Sequence, residues 1–314
     1  MPSSSEFHFK TIFQIRNLLK THPQAIVQAH TAKSHSQALV AMLGLKNKLP
    51  LVVSRRVDFT PKRSFYSRWK YRSSRVTYFA CVSNKIREIL YEFGIPSEKL
   101  ITIRSGIPIE SKLKKGKDKA VLKELQIPDK AFVFGNVAAL VDHKDHRTLL
   151  KAIHEIREKN FVCLILGDGP LLPKLEKLAE ELEISDKVRF LGFRNDLETF
   201  FPIFDAFVFS SKEEGLGTSI IEALQWNLPI VSTNAGGIPE LLEPGVDSLV
   251  SNVGDLEELS QNMQKLMEDN TLLKQLSENA FESAKSFSDA KTALKTMQLY
   301  FALKGNKIEG LQIG

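Results

Sequence analysis

Short apolar runs alternate with stretches of helical spacing along the whole chain. In the first half the strand-like runs are AIVQAH (25–30), LPLVVSR (49–55), VTYFACVS (76–83) and LITIRS (100–105). Helical patterns near 34–44, 63–74 and 84–93 separate them, and EFHFKTIFQIRNLLKTH ahead of them reads as a further helix. The segment IPIESKLKKGKDKAV then breaks the rhythm with Pro108, Gly116 and a lysine-rich stretch, as a linker between domains does. The second half restarts with AFVFGNVAAL (131–140), VCLILGDG (162–169), VRFLGF (188–193), AFVFSS (206–211), PIVSTN (229–234) and SLVSN (248–252). Helices are expected near 145–159, 171–183 and 196–203. Alternation of this kind predicts an α/β protein built on parallel sheets, and strands so uniformly apolar are covered on both faces.

Composition narrows the class. The 314 residues suffice for two domains, and 43% apolar with 25% charged residues is ordinary for a globular protein. No apolar run reaches the roughly 18 residues of a membrane-spanning helix, and MPSSSEFHFK lacks the apolar core of a signal peptide. Cys81 and Cys163 both sit inside apolar runs and read as core thiols, which fits a reducing cytoplasm.

Charge is distributed unevenly. Residues 1–130 hold 25 Lys and Arg against 9 Asp and Glu, whereas the rest of the chain is acidic. A basic half of this kind is either a solvated surface or the mark of an anionic partner such as a membrane surface or a phosphorylated acceptor. Nucleic acid is not expected, because no aromatic platform or recognition-helix pattern accompanies the charge. FYSRWKY (65–71), with aromatic and basic residues interleaved, fits either an interfacial helix or a packing helix with a basic outer face.

The strongest chemistry lies in SSKEEGLGTSIIEALQWNLPIVSTNAGGIPE, from Ser210 to Glu240. Ligands of parallel sheets bind beyond the carboxyl ends of strands, and this segment follows such an end. Gly215 and Gly217 allow a tight turn and a close approach to a ligand. Thr218 and Ser219 open a helix whose free N–H groups favour phosphate oxygens. Glu222 follows about one turn later, flanked by apolar residues, where a carboxylate can bond a ribose diol. His143 and His146 have a spacing that suggests a metal pair, but no partner ligand adjoins them, and they read as a solvated helix start.

These motifs resemble the donor-binding signature of glycosyltransferase family 4, enzymes of the GT-B fold. Its pattern is carried here by Glu214, Gly215, Leu216 and Gly217, then Glu222 and Ala223, Pro229 to Val231, and Gly236, Gly237 and Glu240. GDGP (167–170), FLGF (190–193) and HKDHRTLLKAI around Lys144 extend the match upstream. The resemblance implies two Rossmann-like domains facing each other across a cleft. It places an acceptor-side domain at 1–115, a nucleotide-sugar domain at 116–290, and a terminal helix or tail at 291–314 that crosses back to the first. It further implies that Lys144 neutralises the donor pyrophosphate and the backbone of Gly215, Leu216, Gly217 and Thr218 completes the cradle. Glu222 would hold the ribose, Phe193 and Arg194 would border the base, and Glu214 would touch the transferred sugar. His30, in VQAHTAKSH, would act beside Glu214 from the acceptor side.

The family retains anomeric configuration and commonly needs no metal; the absence of an Asp-x-Asp motif accords with that. Where the family usually carries an arginine a few residues before the lysine, this chain has Ala138 and Ala139, so Arg55, Arg56 or Arg104 is a candidate substitute. The acceptor domain would ordinarily open with further strands and a glycine-rich loop, so the first domain is expected to be incomplete. The expected activity is transfer of a hexose-like sugar from a nucleoside diphosphate to a hydroxyl of a lipid-linked or saccharide acceptor. The acceptor would be a cell-envelope glycolipid or polysaccharide precursor, met at the cytoplasmic membrane face, with no cofactor. The alternatives are an epimerase or phosphorylase of the same fold, or an inactive remnant that binds a nucleotide-sugar or a protein partner.

Overall fold

The computed structural model describes residues 8–110, 112 and 116–305. Contacts divide the chain into two compact units, Met1–Arg104 with Ala290–Gly314 and Ser105–Asp289.

In the first unit helix α1 (Phe9–Thr21) leads into β1 (Val27–Ala29), α2 (Ala32–Met42), β2 (Leu51–Arg55) and α3 (Phe65–Tyr71). Then come β3 (Val76–Cys81), α4 (Asn84–Glu92) and β4 (Leu100–Thr102). The helices start where local chemistry satisfies their first N–H groups. Thr31 and Ser34 form a reciprocal capping box on α2, and Ser64 and Ser83 cap α3 and α4 with their hydroxyls. The four strands are parallel and lie in the order β1-β2-β3-β4. All four expected strands are present, and each helical pattern between them is a helix.

The second unit runs through α5 (Lys119–Glu124), β5 (Phe132–Val137), α6 (His146–Glu155), β6 (Phe161–Leu166), α7 (Leu172–Glu181) and β7 (Val188–Phe190). It continues with α8 (Leu197–Phe200), β8 (Ala206–Phe209), α9 (Thr218–Gln225), β9 (Ile230–Thr233), β10 (Ser248–Ser251), α10 (Leu256–Glu268) and α11 (Asn270–Ala284). Six parallel strands lie in the order β10-β9-β8-β5-β6-β7. The chain therefore builds outward from β5 to β7, returns to lay β8 on the other side of β5, and builds outward again. This reversal makes the boundary between β5 and β8 the switch point, beyond whose carboxyl ends a ligand crevice opens.

Every residue of β6 is buried, as its unbroken apolar run requires. One face of this sheet packs Phe134, Phe161, Ile165 and Val208 against Leu149 and Ile153 of α6 and Met263 of α10. Each such side chain removed from water contributes about 1.5–3 kcal/mol. Cys81 and Cys163 are free and buried, and burial pushes both thiols up to about 12, so they behave as core residues.

The linker expected over 107–121 is only partly described, since residues 111 and 113–115 lie outside the described residues. Its first part bonds to the segment leaving the unit: Ile107 N–H donates to Phe287 O at 3.1 Å, and Asp289 N–H to Ile107 O at 2.9 Å. Its last part, from Lys119, is helix α5. The final helix, α12 (Asp289–Leu303), places Leu299 in the first unit's core with Val52, Ala80, Ile101 and Ile103. Residues 306–314 of the expected tail lie outside the described residues.

Candidate functional site

The two loops that flank the switch point, after β5 and after β8, are fastened to each other by backbone and side-chain bonds. His143 O accepts the N–H of Lys212 at 2.9 Å and of Glu213 at 3.3 Å. The Ser210 hydroxyl lies 3.1 Å from both Lys144 O and Asp145 O and donates to this turn. Into this frame project Lys144 and Glu214, seventy positions apart in sequence, whose ammonium and carboxylate form a direct ion pair. Their side chains are only 16% and 12% exposed, so both charges are largely withdrawn from water. The Lys144 Nζ also lies 4.9 Å from the centre of the Phe209 ring at the end of β8.

Glu214 is held from behind as well. Its carbonyl accepts the Gly237 N–H at 2.8 Å, and Thr233 Oγ1 donates to Ser211 O at 2.5 Å. The Gly236-Gly237 segment thus acts as a latch on the loop that carries Glu214. Gly217, at φ +94 and ψ +61, turns the chain into α9 and supplies no side-chain cap. A side chain there would be strained by that φ and would crowd Ile220 and Leu241. The amino end of α9 therefore presents N–H groups and the positive end of its dipole, with Thr218 exposed at the lip. Gly215 and Gly217 are buried, and Leu216 packs inward at 3% exposure, leaving its backbone as the only part that can meet a ligand.

The loops after β5, β6 and β7 form a continuous rim. Leu140 N–H donates to Asp168 O at 2.9 Å, Leu171 N–H to Leu140 O at 3.2 Å, and Gly167 N–H to Gly192 O at 2.8 Å. Phe193, next on this rim, is 78% exposed. Arg194 lies beside it, its guanidinium bonded to both carboxylate oxygens of Asp196 at 2.8 and 2.6 Å and set 4.9 Å over the Phe200 ring. Those bonds raise the arginine above its usual range and lower Asp196.

Glu222 is half-buried on α9 and lines a cavity of about 440 Å³ with Gln225, Trp226, Asn195, Phe201 and Lys112. Burial raises its carboxyl above the usual range, and the nearby Lys112 charge partly opposes that shift. Lys112 pairs with Glu198 at 2.5 Å and sits 5.3 Å over Trp226, while Glu110 N–H donates to the side chain of Gln225 at 3.0 Å. The start of the linker therefore forms one wall of this cavity, a contribution that no motif signals.

His30 stands at the carboxyl end of β1 in the first unit and is exposed. Among the proposed site residues it is the one outside the second unit. Arg55 is committed elsewhere: it is buried in the first unit, donates to Tyr71 Oη at 2.9 Å and to Phe59 O, and is unsuited as a substitute phosphate cation. His146 departs from the solvated position that its place at a helix start suggests. It is 2% exposed, and its Nε2 lies 3.1 Å from Asn136 Oδ1. Because Asn136 Nδ2 donates to Val208 O at 2.8 Å, its Oδ1 is the acceptor, which assigns the proton to His146 Nε2. Burial and the adjacent Lys144 charge push His146 down to about 4. Among the described residues no group of three or more His, Cys, Asp and Glu could hold a metal ion.

A doubly wound parallel unit with a cation, a carboxylate and an uncapped helix terminus at its switch point is the arrangement of a nucleotide-binding α/β protein. Residues 118–283 match the family profile "Glycosyl transferases group 1", and residues 1–111 match "Glycosyltransferase Family 4". The chain belongs to the group 1 glycosyltransferases, with the GT-B type of fold. It is 32% identical over 160 residues to the lipopolysaccharide core biosynthesis glycosyltransferase LpsE of Rhizobium meliloti, across 51% of this chain and 46% of that protein. The chain thus spans about half the length of that relative. Over 313 residues it is 25% identical to an Escherichia coli UDP-Gal:alpha-D-GlcNAc-diphosphoundecaprenol alpha-1,3-galactosyltransferase, covering 95% of this chain and 80% of that one. Among solved structures, Anabaena Alr3699/HepE in complex with UDP-glucose superposes with a TM-score of 0.81 at 21% identity, over 92% of this chain and 82% of that chain.

Proposed function

We propose that this chain is a retaining glycosyltransferase that moves a sugar from a nucleoside diphosphate to a hydroxyl of a lipid-linked or saccharide acceptor of the cell envelope. The observation that carries the reading is the meeting of Lys144 and Glu214 beside the uncapped amino end of α9, at the switch point of the sheet. A diphosphate seated there would take the Lys144 ammonium and the first N–H groups of α9, both of which stabilise charge developing on the leaving group. Glu214, released from the lysine, would accept hydroxyls of the transferred sugar. Glu222 would take the ribose diol, with Phe193 and Arg194 along the base and His30 near the acceptor. No metal enters this scheme, because the lysine and the helix terminus supply the positive charge. A uridine donor is favoured, since the E. coli relative uses UDP-Gal and HepE was solved with UDP-glucose. The same relative's diphosphoundecaprenol-linked substrate favours a lipid-borne acceptor, and the basic first unit suits the anionic cytoplasmic face of a membrane.

The test is a thermal-shift titration with UDP-, GDP- and ADP-sugars, followed by transfer to lipid-linked acceptors in the presence and absence of a chelator. One nucleotide class should stabilise the protein, by about 2.7 kcal/mol at 100 times its dissociation constant. Turnover should survive the chelator, and the product should keep the donor's anomeric configuration by NMR. Absence of a shift with every donor would sink the proposal. A shift without turnover on any acceptor would point instead to an inactive nucleotide-sugar-binding protein.

A further inference from the structure

A second cluster of cations lies in the first unit. Arg63, Arg68 and Arg72 line a cavity of about 230 Å³ together with Glu92 and Phe93 at the end of α4. Arg68 lies on α3 and Arg72, four positions on, is its C-terminal cap residue; both are exposed, and Arg63 precedes the N-terminal cap. Like charges one helical turn apart repel, so such a pair is costly without an anion between them. Elsewhere in the chain a comparable arginine has its carboxylate, as Arg194 has Asp196. Here Glu92 lies on the cavity wall, yet none of the three guanidinia forms an ion pair among the described residues. One of them is also positioned in advance. Arg72 Nη2 donates to Phe93 O at 3.2 Å, and it occupies the space where a Cβ on Gly94 would lie only 2.3 Å away. Gly94, at φ +94, makes this turn with no side chain to obstruct the guanidinium.

We propose that this cavity binds a phosphoryl group carrying two negative charges. Three planar guanidinium forks around one small cavity match the several acceptor oxygens of a phosphomonoester or a diphosphate. A carboxylate has fewer oxygens and one charge, and would leave an arginine unsatisfied. The phosphoryl group can belong to a soluble compound or to a lipid headgroup; Phe65, 89% exposed on the same face of α3, stands where an acyl or glycerol portion could lie. All its residues belong to the first unit, whereas those proposed to hold the donor nucleotide belong to the second.

Of the chain's two tryptophans, Trp69 lies in α3 and Trp226 in the second unit. In a Trp226→Phe background, the remaining emission comes from Trp69, next to Arg68 on α3. Titration with pyrophosphate should give a saturable change, weakened about tenfold by Arg68→Gln and further in Arg63→Gln/Arg68→Gln. Calorimetric titration of the natural chain supplies a second measurement. A pyrophosphate-binding event should persist in Lys144→Ala and vanish in Arg63→Gln/Arg68→Gln. The proposal is overturned if the response never saturates, if chloride at equal ionic strength reproduces it, or if the double variant binds as the natural chain does. Vesicles containing phosphatidic acid, set against phosphatidylcholine alone, separate the sources. Capture that pyrophosphate competes away supports a lipid-borne group, and a pyrophosphate response without capture supports a soluble one.

Discussion

Lys144 is the cation that meets Glu214 at the switch point. A few positions before it stand Ala138 and Ala139, and the Arg55 guanidinium is spent on Tyr71 and Phe59. On the proposed function, Lys144→Ala removes the principal charge from the leaving group. We expect a loss on the order of 10²–10³ in kcat, together with weakened donor binding in the thermal-shift titration. Unchanged donor affinity in that variant would contradict the role. This residue was legible from its motif alone, because HKDHRTLLKAI carries the lysine at a fixed place relative to a strand and a helix. The buried polar pair near it, Asn136 and His146, was not legible. Asn136 looks like a stray polar residue in an apolar strand, and His146 looks like an exposed helix start. Their contact depends on β5 lying beside β8, where Val208 O receives the asparagine amide, and that neighbourhood is a product of strand order.

At the scale of elements, the join of β5 to α6 carries a titration. His146 anchors the first turn of α6 directly after Lys144, and it is pushed down to about 4 from the ordinary 6.5. Its folded pKa lies below the unfolded one, so the unfolded chain takes up the proton first as the pH falls. The stability it contributes is complete above pH 6.5 and disappears progressively between about 6.5 and 4, a loss of about 3 kcal/mol. Denaturant unfolding at several pH values in this window should show that slope in the natural chain and a flatter one in His146→Gln. Equal slopes would mean the buried imidazole is not the source. The strands themselves were read from sequence with little error, since every apolar run became a strand. Boundaries moved inward, as at β1, where only Val27–Ala29 of the run 25–30 pairs, because polar termini such as His30 turn out to solvent. The linker was harder, since a polar, lysine-rich run gives no sign that Lys112 and Glu110 bond to Glu198 and Gln225.

For the molecule as a whole, charge divides along the same line as structure. The first unit holds 22 Lys and Arg against 6 Asp and Glu, and the second is net acidic. No helix among the described residues is long and apolar enough to cross a membrane. We expect any attachment of the basic first unit to an anionic membrane to involve its surface charge, with Phe65 exposed on α3. Co-sedimentation with vesicles rich in phosphatidylglycerol should be strong at low ionic strength and fall steeply once the Debye length shrinks to about 8 Å near physiological salt. Binding that ignores salt would argue for an apolar attachment instead. The sequence pattern disclosed the fold class and the donor-side motifs, because both depend on local order along the chain. The arginine cavity was not visible in it, since Arg72 meets Phe93 only once β3 and α4, which lie between them in sequence, have folded.

On the proposed function, the ion pair between Lys144 and Glu214 limits how firmly the protein can hold its product. Any nucleotide arriving at the lysine must first evict a tethered, partly dehydrated rival, which discounts its affinity. On that reading the rival would return after transfer and help expel the spent nucleoside diphosphate. Glu214→Gln should therefore bind the nucleoside diphosphate more tightly than the natural chain by calorimetry, even as turnover drops. Weaker binding in that variant would show that the carboxylate is no competitor.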